Sequence, residues 1–213
     1  ITFVCGSLSH ALSDFIENVT VASQFHWIEG VSMEDITSRN WKTRKEAYLK
    51  ILNGILAQEQ YSIAIVESEL VHLISDPNPN PQLVALQVCE AYLDIVQRFD
   101  HAGITKVLVE KSFQDRSQNA NLAKSIILKC AEKAEDQTVN CLINCLQTKS
   151  PKILTALLDI FSTILPSLDQ EARGKVVTAI NPLTEHAKQS IRADATKAIE
   201  IAMSNVPPQP HQR

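Results

Sequence analysis

This 213-residue chain has little glycine and few aromatic side chains. It contains five glycines, and Phe, Trp and Tyr together make up 5% of its residues. All-β sandwiches and barrels use glycine in their many turns, so this composition argues against them. Hydrophobic residues nevertheless account for 45% of the chain and charged residues for 21%. These shares are enough to form a hydrophobic core and a solvated surface. Leu, Ile, Ala, Lys, Glu and Gln together make up nearly half of the chain, and this composition is typical of helices.

The chain also lacks a basic excess and a long apolar run. Twenty Lys and Arg against 24 Asp and Glu give a net charge of −4, which does not favour a nucleic acid as partner. No apolar run reaches the roughly 18 residues that cross a bilayer, so we predict no membrane contact. The first twelve residues have neither the basic start nor the cleavage site of a signal peptide. Because the chain starts with Ile1, we expect it to be part of a longer protein.

Cysteines are few, odd in number and unpaired in sequence: Cys5, Cys89, Cys130, Cys141 and Cys145. No CxxC motif occurs, which predicts free thiols and a reducing compartment. Cys141 and Cys145 share one helix face and could supply two metal ligands. No histidine or further cysteine nearby completes a zinc set, so we predict packing and no metal site.

Catalytic motifs are missing as well. The six histidines are scattered, and there is no glycine-rich phosphate loop, no GxSxG and no HExxH. We therefore predict no catalytic residues, no cofactor and no enzymatic activity. A binding module remains.

Helical patterns recur along the chain. In each unit an apolar helix, a polar turn and a second amphipathic helix follow one another, with apolar residues three and four apart. Five equivalent points are spaced by 40, 39, 31 and 38 residues; they are Thr43, Leu83, Leu122, Ile153 and Ile191. This spacing predicts an all-α, right-handed α-solenoid of about five HEAT-type helix pairs. In the fourth unit we expect Leu157 to lie deep in the core.

The ends do not follow the repeat. Within residues 1–30, one stripe predicts an amphipathic helix that caps the solenoid: Ala11, Leu12, Phe15, Ile16 and Val19. Three prolines within residues 205–213 cannot continue a helix. We therefore expect an N-terminal capping segment at 1–30, a repeat domain at 31–204 and a linker at 205–213.

In such a solenoid the turns inside the helix pairs emerge along one edge. Residues 38–42, 75–82, 114–119, 147–152 and 186–190 together carry +4, which leaves −8 on the rest of the chain. This separation favours an acidic partner at that edge. Trp41, between Asn40 and Lys42, is placed as an interface anchor. The alternative is that Trp41 folds back over the first helix pair.

The residues around Trp41 resemble a known family. The segment from Asp35 to Ala47 is similar to the opening repeat of TOG domains, the tubulin-binding HEAT modules of ch-TOG-like microtubule polymerases and CLASP proteins. There a turn reads roughly S-x-x-W-K-x-R-x-x-A, with the Trp at its tip. Residues 149–153 resemble the family's K-N-P-K-V turn, and residues 190–195 its late N-x-V-R-x-x-A turn. The resemblance covers about residues 31–203.

The resemblance implies a monomeric domain that grips αβ-tubulin by its turns and regulates microtubule dynamics. It places the protein in the cytoplasm on microtubules, with the spindle and centrosome as possible sites. Trp41, Asn78 and Asn80 would face β-tubulin, and Lys188 α-tubulin. The implied tubulin-binding residues are Arg39, Trp41, Lys42, Asn78, Asn80, Arg116, Lys149, Lys152, Lys188 and Arg192.

Two departures from the family and two rival functions stay open. Ser117 and Gln118 stand where the family often has a lysine, and we count five helix pairs where the family usually has six. A HEAT-type adaptor for another protein would use its inner helix faces more than its turns. A structural spacer would tolerate mutation on every surface.

Overall fold

The computed structural model describes residues 31–96, 99–113 and 118–204. Within these ranges every regular element is a helix, and none is long and apolar enough to span a membrane. The α-helices are α1 (Met33–Ile36), α2 (Trp41–Leu56), α3 (Gln60–Ile74), α4 (Pro79–Ile95), α5 (His101–Ser112), α6 (Gln118–Lys133), α7 (Glu135–Cys145), α8 (Pro151–Ile164), α9 (Gln170–Ile180) and α10 (Gln189–Ser204), with a 3-10 turn at Asn181–Glu185 before α10.

The helices form pairs that stack in two layers. Helix α2 packs on α4, α4 on α6, α6 on α8 and α8 on α10, while α3, α5, α7 and α9 stack in the same order in the other layer. Each odd-numbered helix is joined by a turn to the even-numbered helix that follows it. Within the described residues this is the all-α solenoid of five helix pairs that the spacing predicts, which confirms the fold class.

The core is continuous through the stack. The fourth pair shows it most clearly, because Leu157, Leu158 and Phe161 of α8 are fully buried and Leu154 is 2% exposed. The apolar face predicted for this helix is therefore correct.

The second helix of the second repeat begins earlier than the sequence pattern suggested. Residues 75–82 read as a turn, but Pro79 is already the first residue of α4, and its N-cap Asn78 accepts a hydrogen bond from the Asn80 N–H at 3.0 Å. Proline fits here because the first N–H groups of a helix have no helical partner. Leu83 is therefore the fifth residue of α4, whereas Thr43 and Ile153 are the third residues of α2 and α8.

The predicted capping helix, the predicted linker and Arg116 lie outside the described residues. The domain boundaries at 30/31 and 204/205 therefore stay predictions.

Candidate binding edge

The turns between paired helices lie at one edge of the solenoid. Odd-numbered helices run towards this edge and even-numbered helices run away from it, and each layer stacks in chain order. Because equivalent ends of stacked helices meet, the turns form one row. We call residues 37–42, 75–80, 147–152 and 186–190, with the flanks of the third turn, the turn edge.

Four of the turns each contain the same type of local hydrogen bond. In each, a side chain accepts from the backbone N–H two residues further on, and this sets the entry into the next helix. The pairs and their distances are Ser38 with Asn40 (3.2 Å), Asp76 with Asn78 (2.8 Å), Thr148 with Ser150 (3.2 Å) and His186 with Lys188 (3.0 Å). Ser38 and Asp76 lie 38 residues apart, and so do Thr148 and His186. A search for apolar periodicity misses this signal.

The first two turns are fastened together by a buried ion pair. Arg44 donates from Nε to Asp76 Oδ2 at 2.6 Å and from Nη2 to Oδ1 at 2.8 Å. Its Nη1 donates to the Ser38 carbonyl at 2.7 Å. The Asp76 side chain is 1% exposed and that of Arg44 is 13% exposed. One guanidinium thus holds its own turn and the next one.

Tyr48 completes this cluster, which we call the Arg44–Asp76 clamp (Arg44, Tyr48 and Asp76). The Tyr48 hydroxyl donates to Asp76 Oδ2 at 3.2 Å. Burial, reinforced by the negative charge of Asp76, raises the pKa of Tyr48. The hydrogen bonds from Arg44 to Asp76 raise the pKa of the guanidinium. The guanidinium is therefore charged and the phenol neutral across the physiological pH range.

The second and third repeats are joined by two buried amides. Asn119 Nδ2 donates to Gln82 Oε1 at 2.8 Å and to the Pro79 carbonyl at 2.9 Å. Gln82 Nε2 donates to the carbonyls of Ile74 at 3.1 Å and Lys111 at 3.3 Å. Buried amides with all these partners fix the positions of the segments they join.

Trp41 lies at the tip of the first turn as the first residue of α2. Its side chain is half-buried. This exposure is intermediate between the two alternatives from the sequence, an exposed anchor and a buried core residue. The Lys42 ammonium lies 5.9 Å from the centre of its ring, within cation–π range. Arg39 and Lys42 are exposed, so the tip presents an aromatic surface beside two cations.

Two predicted residues are engaged within their own turns. The Asn78 side chain caps α4, and of the two predicted asparagines Asn80 is the exposed one. Arg192 Nη1 donates to the carbonyls of His186 at 2.8 Å and Ala187 at 3.0 Å. Arg44 makes the same contact to Ser38, and each arginine is the fourth residue of its helix. Arg192 therefore fastens the fifth turn as Arg44 fastens the first.

The fourth and fifth turns bring lysines together. Lys149, Lys152 and Lys188 are all exposed. Lys152 and Lys188 line one groove of about 750 Å³, together with Phe113 of the third turn's flank. The turn edge is thus continuous from the third repeat to the fifth.

The exposed charge of the edge is more positive than the sequence count suggests. That count assigns −1 to residues 75–82, and the charge belongs to Asp76. Its carboxylate is buried and neutralised by Arg44, which lies outside the counted segments. The exposed charged side chains of residues 37–42, 75–80, 147–152 and 186–190 are therefore all cationic.

Groups suited to metal binding or nucleophilic catalysis are sparse. Residues 31–96, 99–113 and 118–204 contain no set of three or more His, Cys, Asp or Glu that could hold a metal. Cys89 and Cys130 are buried, and burial raises the pKa of Cys130 to about 11. The chemistry offered by the edge is an aromatic side chain and a row of cations, which suits an acidic protein surface.

Comparison with known proteins gives a matching family model and a solved structure with the same fold. A family model described as XMAP215/Dis1/CLASP, TOG domain, matches residues 30–206. A solved structure described as tubulin recruitment and assembly by microtubule polymerases with TOG domain arrays shares the fold at a TM-score of 0.65 and 17% identity, covering 80% of this chain and 39% of that chain. A designed armadillo repeat protein matches at a TM-score of 0.38 and 14% identity, over 79% of this chain and 97% of that chain. No curated protein matches this chain.

Proposed function

This chain belongs to the XMAP215/Dis1/CLASP TOG domain family, and on that premise we propose that it binds αβ-tubulin through the turn edge and is not an enzyme. The chain spans about two fifths of the TOG-array structure it resembles, a match that covers 39% of that chain. The proposal therefore concerns this domain, within a microtubule-associated protein of the cytoplasm. In this proposal the domain is a monomer and regulates microtubule dynamics, and it also acts at the spindle or centrosome.

The observation that carries the proposal is the arrangement of Trp41 and the lysines on one edge. Trp41 supplies an apolar anchor at the first turn, and aromatic anchors commonly dominate the energy of an interface. Lys149, Lys152 and Lys188 supply positive charge at the far end. An acidic partner is attracted to this edge and repelled by the rest of a chain whose net charge is −4.

The other predicted residues divide into contacts and supports. We propose Arg39, Lys42 and Asn80 as contacts, because they are exposed on the first two turns. Arg116 belongs to the same set by its place in the third turn. Asn78 and Arg192 act mainly by holding their turns, as their hydrogen bonds inside the protein indicate.

Binding to purified tubulin tests the proposal. The chain should co-elute with tubulin from a sizing column, and Lys149→Glu with Lys188→Glu should abolish this co-elution. Lys197→Glu is the matched control, since Lys197 is exposed on α10 away from the turns. No co-elution by the parent chain, or equal losses for the control and the edge variant, would contradict the proposal.

A second candidate function is supported by one feature of the layer formed by α3, α5, α7 and α9. A groove of about 830 Å³ runs between α5 and α7, with Lys106, Glu110, Asn140 and Cys141 in its lining. An adaptor that binds a protein segment there would lose binding in Lys106→Glu and keep it in the edge variant. Comparing Lys106→Glu with the edge variant therefore distinguishes the two functions.

A further inference from the structure

Two thiols lie side by side in the groove between α5 and α7. Cys141 and Cys145 both line this groove of about 830 Å³, and their side chains are hydrogen-bonded to each other. They are four positions apart on α7, so both lie on one face of the helix. Both residues are partly exposed. A small reagent that enters the groove therefore reaches two neighbouring sulfur atoms.

The other two described cysteines have different surroundings. Cys89 and Cys130 are each 0% exposed and belong to the continuous core. Burial raises the pKa of both thiols, so they stay protonated as well as shielded. Core packing therefore accounts for Cys89 and Cys130, whereas Cys141 and Cys145 need a further explanation.

The hydrogen bonds give the two thiols of the groove different roles. The Cys141 S–H donates to the Ala102 carbonyl of α5, with Sγ at 3.2 Å from the oxygen. The Cys141 sulfur in turn accepts from Cys145, and this hydrogen bond lowers the pKa of Cys141 and raises the pKa of Cys145. Cys141 is therefore the first of the pair to ionise, and the thiolate is the nucleophilic form of cysteine.

The surroundings of Cys141 act in both directions. After the hydrogen bond from Cys145, partial burial has the largest effect and raises the pKa of Cys141. The ammonium of Lys106, which also lines the groove, lowers it, and the carboxylates of Asp100 and Glu110 raise it. The net result is a lowered pKa. A partly exposed thiol beside a cation is the setting in which reactive cysteines are found.

The pair also lies where the helix can deform. Residues four apart on a helix have Cα atoms about 6 Å apart, which is within the range of disulfides. Their Cβ atoms, at about 5–6 Å, must approach to about 4 Å for a disulfide to form. Cys145 is the last residue of α7, so only the final turn of the helix has to change.

We propose that Cys141 is a site of oxidation by hydroperoxides and that Cys145 resolves the product as a disulfide. The Cys141 thiolate attacks one oxygen of hydrogen peroxide, the O–O bond breaks, and hydroxide leaves and takes up the proton that Cys141 released. Cys141 is then a sulfenic acid. The Cys145 sulfur attacks the Cys141 sulfur, the S–O bond breaks, and the hydroxyl leaves as water with the proton of Cys145. Two thiols are thus oxidised to one disulfide, and the peroxide is reduced to two waters.

Peroxide treatment of the folded chain followed by peptide mass spectrometry tests this chemistry. Cys5 lies outside the described residues and is replaced in every variant by Cys5→Ser. In the parent, limiting hydrogen peroxide should give a Cys141–Cys145 disulfide within one chain, which a thiol reductant reverses. In Cys145→Ser, a sulfenic-acid trap should label Cys141 at least about tenfold faster than Cys89 or Cys130, since those thiols are buried with raised pKa values.

Matched variants separate the roles of the neighbouring groups. Cys145→Ser keeps a hydrogen-bond donor beside Cys141 and Cys145→Ala removes it, so labelling of Cys141 should be slower in Cys145→Ala. Lys106→Glu should also slow the reaction, whereas Lys197→Glu, at an exposed residue of α10, should not. Equal labelling of all the cysteines would overturn the proposal. So would equal rates in Cys145→Ser and Cys145→Ala, or a parent that forms disulfides only between chains.

Discussion

Removing the Asp76 carboxylate tests how firmly the first two turns are joined. In Asp76→Ala the Arg44 guanidinium loses two hydrogen bonds, of 2.6 and 2.8 Å. The Tyr48 hydroxyl loses its closer acceptor at 3.2 Å, and the Asn78 N–H loses one at 2.8 Å. Four donors thus lose a partner in a region from which water is largely excluded.

The size of the loss follows from this burial. Removing one member of a buried ion pair typically costs about 3–5 kcal/mol, because the other charge stays buried and unpaired. The Arg44 side chain is 13% exposed, so water can reach part of it. We therefore expect the lower end, about 3 kcal/mol, which is a large part of the stability of an ordinary domain.

Urea unfolding followed by circular dichroism measures this loss, with the slope m compared between variants. Asp159→Ala is the matched control, because Asp159 forms an ion pair of 2.6 Å with Lys124 but is 63% exposed. It should cost at most about 1 kcal/mol. Replacing both partners, in Arg44→Leu with Asp76→Leu, should cost less than the two single changes together. A loss below about 1 kcal/mol in Asp76→Ala, or full additivity in the double variant, would refute the reasoning.

Three further outcomes follow from the core and the edge. Leu157→Ala should cost about 2–5 kcal/mol in urea unfolding because Leu157 is fully buried, and a loss below about 1 kcal/mol would contradict the core assignment. Trp41→Ala should keep its melting temperature and weaken tubulin binding about 30-fold or more, whereas a loss of stability with unchanged affinity would make Trp41 a core residue. Lys149→Ala should weaken binding by about 0.5–1 kcal/mol, mainly through the on-rate, with the effect disappearing at high salt; a loss that persists at high salt would contradict a purely electrostatic role.

The fold could be predicted because its signals are local or periodic. Apolar residues three and four apart identify each helix, and proline or a polar cap marks its start, so Leu154, Leu157 and Phe161 could be assigned to the core in advance. The start of α4 was missed because Pro79 and Pro81 look like a turn in sequence. In the structure they occupy the first turn of a helix, where their missing N–H groups cost nothing.

The supports of the candidate site could not be predicted in the same way. Arg44 and Asp76 are 32 residues apart, and Gln82 and Asn119 are 37 residues apart. Nothing in the local sequence pairs them, because their contact depends on how one repeat stacks on the next. Asp76 therefore counted as a surface charge, although it is buried. The exposed lysines needed no such information, since their place on the turns follows from the repeat alone.

The two ends of the turn edge need different degrees of order, and this difference can be measured. An aromatic anchor gains energy only in close contact, so Trp41 depends on the clamp that fixes the first two turns. Lysine charges act over a Debye length of about 8 Å at physiological salt, so Lys149 and Lys188 tolerate small displacements. Asp76→Asn, which weakens the clamp while keeping a hydrogen-bond acceptor, should therefore lower tubulin affinity and leave the dependence of affinity on salt unchanged. Lys149→Ala with Lys188→Ala should also lower tubulin affinity at physiological salt, but it should flatten the dependence of affinity on salt. If Asp76→Asn flattens it as well, the two ends are mechanically coupled and the separation argued from their contacts is wrong.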